Sequence, residues 1–191
     1  MILTPTTELE AVNTMLSIIG ESPISSLENT ELVDAVTART ILRAVSREVQ
    51  SRSWHWNTEE NYRLLPNTQK EIVLPLNTLR VDTDNRSQHI DVIQRAQRLY
   101  NKGDHTFRFN QPVTVTLVLN LPFEEIPETA RRFITLRAGR IFQERMVGSD
   151  MLSSFSALDE NQAWALLMDA EAETADINLL NSDAVGRILR R

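Results

Sequence analysis

Side chains able to do chemistry are few in this sequence, and most lie where they cannot act together. There are three histidines, His55, His89 and His105, too widely spaced to form the His-x-x-x-His or His/Asp patterns that preorganise a metal ion. The chain has no cysteine, which excludes a thiolate nucleophile, thiolate ligation of zinc or iron–sulfur clusters, and any disulfide. None of its five glycines lies near enough to another to build a GxGxxG turn or a phosphate-cradling loop. Serines are common, but no GxSxG elbow presents one as a nucleophile. No cofactor and no metal are therefore expected.

Three groupings remain. Glu124, Glu125 and Glu128 cluster closely enough to flank a sugar, since a polysaccharide hydrolase needs two carboxyl groups about 5–10 Å apart. The same acids surround Pro127, and a helix start attracts negative charge without any catalytic purpose. Trp54 and Trp56 read as neighbours on one strand face, either a platform for stacking a sugar or a base or the apolar seam between a strand and the preceding helix. Arg131, Arg132, Arg137, Arg140 and Arg145 give one helix a basic polar surface. It suits DNA phosphates or, through the planar fork of the guanidinium, carboxylates within or between subunits.

The elements that must position these residues are legible in the periodicity. With 191 residues, 41% hydrophobic and 24% charged, the chain has an ordinary globular composition and the size of one domain carrying an inserted module. Leu9, Val12, Leu16 and Ile19 fall at helical spacing; Thr7 with Glu10 forms a capping pattern before them, and Gly20 and Pro23 follow. A second helix is predicted with Val33, Val36, Ile41, Ala44, Val45 and Val49 on its buried face and Arg39, Arg43 and Arg47 on another. Beyond Ser53 the texture changes to short strands: Trp54–Trp56, Tyr62–Leu65, Ile72–Leu76, Leu79–Val81, Ile90–Ile93, and Val113–Leu119 with its alternating apolar positions. Asn101–Asp104 is predicted to turn Leu99-Tyr100 back onto Phe107–Phe109. Helical spacing returns from Pro127 to about Gly148 and again over Asp159–Asp176, where Trp164, Leu167 and Met168 supply apolar contacts. The fold class is thus α+β, mainly α. A bundle of about four helices, residues 1–53 and 122–178, is interrupted by a small antiparallel β-module, residues 54–121, and followed by an extended tail, residues 179–191.

Charge and hydropathy narrow the function. The formal net charge of −6 opposes tight binding to a nucleic-acid polyanion. The N-terminal residues lack the pattern of a signal peptide, and no apolar run of about 18 residues suggests a membrane span, so a protein without membrane association, made inside the cell, is expected.

Several blocks together resemble a known family. Residues 6–23 (TTELEAVNTMLSIIGESP), the arginine-bearing second helix leading into residues 49–60 (VQSRSWHWNTEE), Leu64-Leu65-Pro66, Glu125-Ile126-Pro127-Glu128, and residues 178–184 (NLLNSDA) occur in the order found in tail tubular protein A, the head-to-tail adaptor family of short-tailed bacteriophages. The resemblance implies a non-enzymatic virion protein of the tail, made in the host bacterial cytoplasm. It further implies a dodecameric ring between the portal protein and the nozzle, tail tubular protein B, through which DNA passes transiently without specific binding. For the isolated subunit both monomer and ring are open. Within this frame Arg131, Arg132, Arg137 and Arg140 are expected to pair with acids of a neighbouring subunit. Leu179, Leu180, Arg187, Ile188, Leu189, Arg190 and Arg191 form an apolar and cationic string expected to dock on the portal. The alternative function is a tail protein that also hydrolyses polysaccharide through Glu124 and Glu125.

Overall fold

The computed structural model describes residues 4–28, 32–84, 87 and 89–180. The protein is α+β and mainly α, and it divides into two compact units, one formed by the chain up to Val49 together with the chain from Pro122 onward, the other by Gln50–Leu121.

In the first unit, helix α1 spans Glu8–Ile18. Its first turn is closed reciprocally: the Thr7 hydroxyl accepts from the Glu10 amide at 3.2 Å, and the Glu10 carboxylate accepts from the Thr7 amide at 2.8 Å. It ends at Gly20, whose φ of 82° few other residues adopt cheaply. Ala11, Val12, Met15 and Leu16 are its fully buried residues, a wider stripe than the spacing of Leu9, Val12, Leu16 and Ile19 alone suggests. Helix α2 spans Val33–Gln50, and here the predicted face needs correction. Ala35, Ala38, Ile41, Leu42, Val45 and Val49 are buried, whereas Val33, Val36 and Ala44 face outward. Ala35, Ala38 and Leu42 join Ile41, Val45 and Val49 in the inner stripe, whereas Val33, Val36 and Ala44 stand outside it.

Helix α3, Glu128–Met146, buries Phe133, Ile134, Ala138 and Phe142. At Gly139 it approaches α1 so closely that an added Cβ would stand 2.8 Å from the terminal methyl of Ile18. Helix α4 runs from Asp150 to Leu180, starting nine residues before the predicted Asp159 and continuing beyond Asp176. Ala163 and Leu167 are its buried apolar residues, Trp164 is half-buried against Phe133 with ring centroids 5.0 Å apart, and Met168 is exposed. Among the described residues no helix is long and apolar enough to cross a membrane.

In the second unit, β1 (Thr58–Leu64), β2 (Thr78–Thr83) and β5 (Val113–Leu119) form an antiparallel sheet in the order β1-β5-β2. Tyr62 stands opposite Val115, and Val81 opposite Leu117. Strands β3 (Val92–Arg95) and β4 (Arg98–Asn101) form a separate hairpin. The core gathers Leu64, Ile72, Leu74, Val81, Val92, Leu99, Phe109, Val113, Val115 and Leu117.

Three predicted strands are absent as such. Residues His55–Asn57 form a 3-10 turn, because the buried Asn57 side chain folds the backbone back on itself. Its Oδ1 accepts from the Trp54 amide at 2.9 Å, and its Nδ2 donates to the carbonyls of Gln50 at 2.8 Å and Leu119 at 2.9 Å. Ile72–Leu76 alternates as a strand does, with Ile72 and Leu74 inward and Val73 outward. It pairs only through isolated bridges from Glu71 and Val73, and Pro75 offers no amide to extend the ladder. The Asn101–Asp104 turn is present, with Asn101 and Thr106 exchanging backbone hydrogen bonds at 2.8 and 3.2 Å, but the returning Phe107–Phe109 segment forms single bridges and no strand. Gln50 holds the two ends of this unit together: its amide nitrogen donates to the Leu121 carbonyl at 3.0 Å, and its oxygen accepts from the Leu121 amide at 2.7 Å.

Candidate functional site: an arginine and carboxylate framework

The charged residues that sequence reasoning singled out are mostly drawn into one polar framework inside the helical unit. Arg131 is at its centre. Although charged, it is only 8% exposed. Its Nε donates to the Ile126 carbonyl at 2.8 Å, one terminal nitrogen donates to the Thr6 carbonyl at 2.8 Å, and the other donates to the Glu124 carbonyl. A guanidinium carries five donors in a rigid fork. Here that fork ties the segment entering α3 to the segment entering α1.

The candidate hydrolase acids serve the same junction. The Glu124 carboxylate accepts from the Glu8 amide at 3.2 Å; the Glu128 carboxylate accepts from the Thr6 amide at 2.9 Å and from the Thr6 hydroxyl at 2.5 Å. Both therefore satisfy donors at the start of α1, where four amides lack helical partners and the helix dipole favours negative charge. Glu125 is exposed beside them. The acids cluster, as their spacing suggests, but two of the three are turned toward backbone groups.

Glu8, in the first turn of α1, receives two arginines from α2: Arg39 at 3.1 Å and Arg43 at 2.7 Å. Burial acts to raise its pKa, but the hydrogen bonds from Arg39 and Arg43, with their attraction, outweigh it and hold the carboxyl below its ordinary value. A second junction joins α3 to α4. Glu160 is 8% exposed and accepts from Arg137 at 3.2 Å and Arg140 at 2.6 Å; Arg137 also reaches Glu48 on α2 at 2.7 Å, and Arg140 reaches Glu144 at 2.8 Å. The hydrogen bond to Glu160 raises the pKa of Arg140 despite its burial.

Of the four arginines expected at a subunit interface, Arg131, Arg137 and Arg140 thus hold partners within their own chain. Arg132 is exposed and makes no ion pair among the described residues. Neither Glu8 nor Glu160 was singled out from the sequence as a partner. For Glu160 a signal existed: it precedes the buried Ala163 and Leu167 by three and seven residues, which places it on the same helix face.

The β-unit adds aromatic chemistry without an assembled site. Trp54 and Trp56 stack with centroids 6.2 Å apart and planes 10° from parallel, but Trp54 is only 4% exposed, so the pair does not form an open platform. On the β3–β4 hairpin the Arg95 guanidinium lies 3.7 Å above the Tyr100 ring, Arg98 lies 4.3 Å above Phe107, and those two rings meet edge to face. This arrangement brings together residues from either side of a turn, and no single stretch of sequence announces it. His55, His89 and His105 are all exposed, and no group of three metal-ligating side chains occurs among the described residues. An open depression of about 470 Å³ is bounded by polar residues such as His89, Asp91, Asn101 and Asp104 together with Ile90 and Phe109. Asn101 and Asp104 are hydrogen-bonded to each other across 2.9 Å, and Lys70 holds Asn110 at 2.9 Å.

Of the portal-docking string, Leu179 and Leu180 lie in helix α4 and not in an extended tail, because the helical backbone continues past Asp176. Arg187, Ile188, Leu189, Arg190 and Arg191 lie outside the described residues.

A helical unit braced by internal ion pairs and a β-unit built on a short antiparallel sheet define a two-unit α+β protein. A family model for tail tubular proteins matches residues 9–177, and the chain belongs to that family. Tail tubular protein A of Klebsiella phage KP34 is 31% identical over 127 residues, which cover 66% of this chain and 66% of that relative. The chain therefore matches just under two thirds of that relative's length.

Proposed function

We propose that the protein is a non-enzymatic structural subunit of the tail of a short-tailed bacteriophage, a head-to-tail adaptor. Its copies form a ring between the portal and the nozzle, and DNA leaves the capsid through that ring. Family membership over residues 9–177 carries this reading. The disposition of the acids supports it: of the two candidate hydrolase acids, Glu124 accepts a backbone hydrogen bond at the start of α1 and Glu125 is exposed beside it, and no observation favours a hydrolase. The net charge of −6 per subunit suits a conduit, because a wall that attracts phosphates would retain the genome. Residues 179–191 are assigned to the portal. The loops of the β-unit are assigned to the nozzle, led by the Pro75–Thr78 turn, where Leu76 is 87% exposed.

Electron microscopy of the protein alone and mixed with portal tests the assignment. A ring is expected with portal, and the subunit alone remains smaller where assembly needs the template to offset lost rotational freedom. Failure to associate with portal under any condition overturns the adaptor reading.

A further inference from the structure

Two helix faces of the first unit are apolar and uncovered, and they differ in charge. On α4, Leu158, Ala165 and Ala172 recur every seven residues, and Asn161 and Met168 lie three residues beyond the first two. All five are exposed, Leu158 by 60%. Heptad spacing of this kind makes a seam for another helix. It lies opposite Glu160, Ala163 and Leu167, the face of α4 already buried within the subunit. Helix α4 holds seven acids and no lysine or arginine from Asp150 to Leu180, and Asp169 and Glu173 stand on exposed positions to one side of the seam.

The second face lies on α2 and α3. Val33 and Val36 are 72% and 49% exposed, and Thr40 and Ala44 continue their stripe. Beside that stripe runs a groove of about 180 Å³ lined by Ile41, Ala44, Val45 and Glu48 of α2 with Ile141 and Arg145 of α3. That volume is below the range of small-molecule sites, and it suits inserted side chains. Helix α3 carries five arginines against two glutamates, and α2 three arginines against two acids. Arg145 at the groove rim makes no ion pair among the described residues.

We infer that these faces belong together in different copies of the chain: the α4 seam of one subunit lies across the α2–α3 groove of the next. Apolar seam meets apolar stripe, and the acids beside the seam meet the basic rim. The contact is head-to-tail, so every subunit uses both faces and repetition closes a ring. This inference rests on the ring reading above and names its interface, which replaces Arg131, Arg137 and Arg140 as the contact.

The chain has no cysteine, so introduced thiols are the only ones in this subunit. Ala44→Cys is combined in turn with Leu158→Cys, Ala165→Cys and Ala172→Cys, tail-bearing phage particles are assembled on each variant, and a short bismaleimide is added. All four positions are exposed, so the fold is undisturbed. At least one double variant should give a ladder of linked multimers on denaturing gels, and the four single variants should give none. Dimers from a single variant would show a face pairing with itself and overturn the head-to-tail arrangement. Absence of any ladder while the subunit is present in the particles overturns the interface but leaves the tail assignment standing. Absence of the subunit, wild type included, from tails overturns both.

Discussion

Arg131 and Arg132 are adjacent in sequence and opposite in duty. Arg131 satisfies three carbonyls while almost fully buried, whereas Arg132 points to solvent. Hydrogen bonds from a charged donor contribute about 1.5–3 kcal/mol each and are not additive, so Arg131→Met should destabilise the fold by roughly 2–4 kcal/mol in urea unfolding. Arg131→Lys should recover only part of that, because an ammonium cannot reproduce the fork. Arg132→Ala should stay within about 0.5 kcal/mol. Equal effects at the two sites would refute the hub role of Arg131. From sequence these arginines looked alike, because helical spacing does not separate a guanidinium turned toward backbone carbonyls from one in water. Glu8 supplies a pH test. Its folded pKa lies below the ordinary carboxyl value, so its contribution is present above that ordinary value and is lost as the pH falls through the lower folded one. Thermal melts of wild type and Glu8→Gln should therefore differ at pH 7 and converge as the pH falls below 4. A gap that persists undiminished at pH 3 would remove the ionic explanation.

Helix α4 shows both how an element can be read from sequence and how it escapes reading. Its middle was legible because Leu167 and Trp164 fall on a helical face, but its start was not, since helical spacing was followed to about Gly148 and again only from Asp159. Both faces also carry apolar residues, which blurs the period used to orient the helix. The structure separates them: Leu167 is 1% exposed and its neighbour Leu166 is 54% exposed. Leu167→Ala should cost about 2–5 kcal/mol through lost burial and a cavity, whereas Leu166→Ala should change unfolding free energy by less than about 0.5 kcal/mol. Comparable losses would mean that α4 is rotated about its axis relative to this description. In the β-unit, the strong alternation of Val113–Leu119 made β5 recognisable. The turn at Trp54–Asn57 was hidden, because it depends on Asn57 reaching the carbonyl of Leu119, far along the chain.

At the scale of the molecule, composition and periodicity were sufficient for the α+β, mainly α class, since helical and alternating patterns occupy separate stretches of chain. The end of the last helix was not legible: Leu179 and Leu180 looked like the beginning of a docking string, yet they continue α4. Because those two leucines belong to α4, the truncation that tests docking is placed after Leu180. Residues 181–191 hold Arg187, Arg190 and Arg191 against the single acid Asp183, along with Val185, Ile188 and Leu189. Directly before them, α4 carries seven acids and no basic residue. A cationic, partly apolar segment of this kind can offer buried area and guanidinium–carboxylate pairs to a partner surface. Among the described residues, the core of the helical unit is built on Phe133, Ile134, Phe142, Ala163 and Leu167. Stopping the chain after Leu180 should therefore move the melting temperature by no more than about 2 °C, since 1 kcal/mol corresponds to about 2–4 °C at this size, and should abolish attachment to portal-bearing capsids. Replacing only Arg187, Arg190 and Arg191 by alanine should weaken attachment less than the truncation does. Because ion pairs near the surface are screened, the attachment lost in that variant should match the salt-sensitive part of wild-type binding. Normal loading of the truncated subunit would assign portal contact to another surface, and a large fall in melting temperature would place these residues in the fold itself.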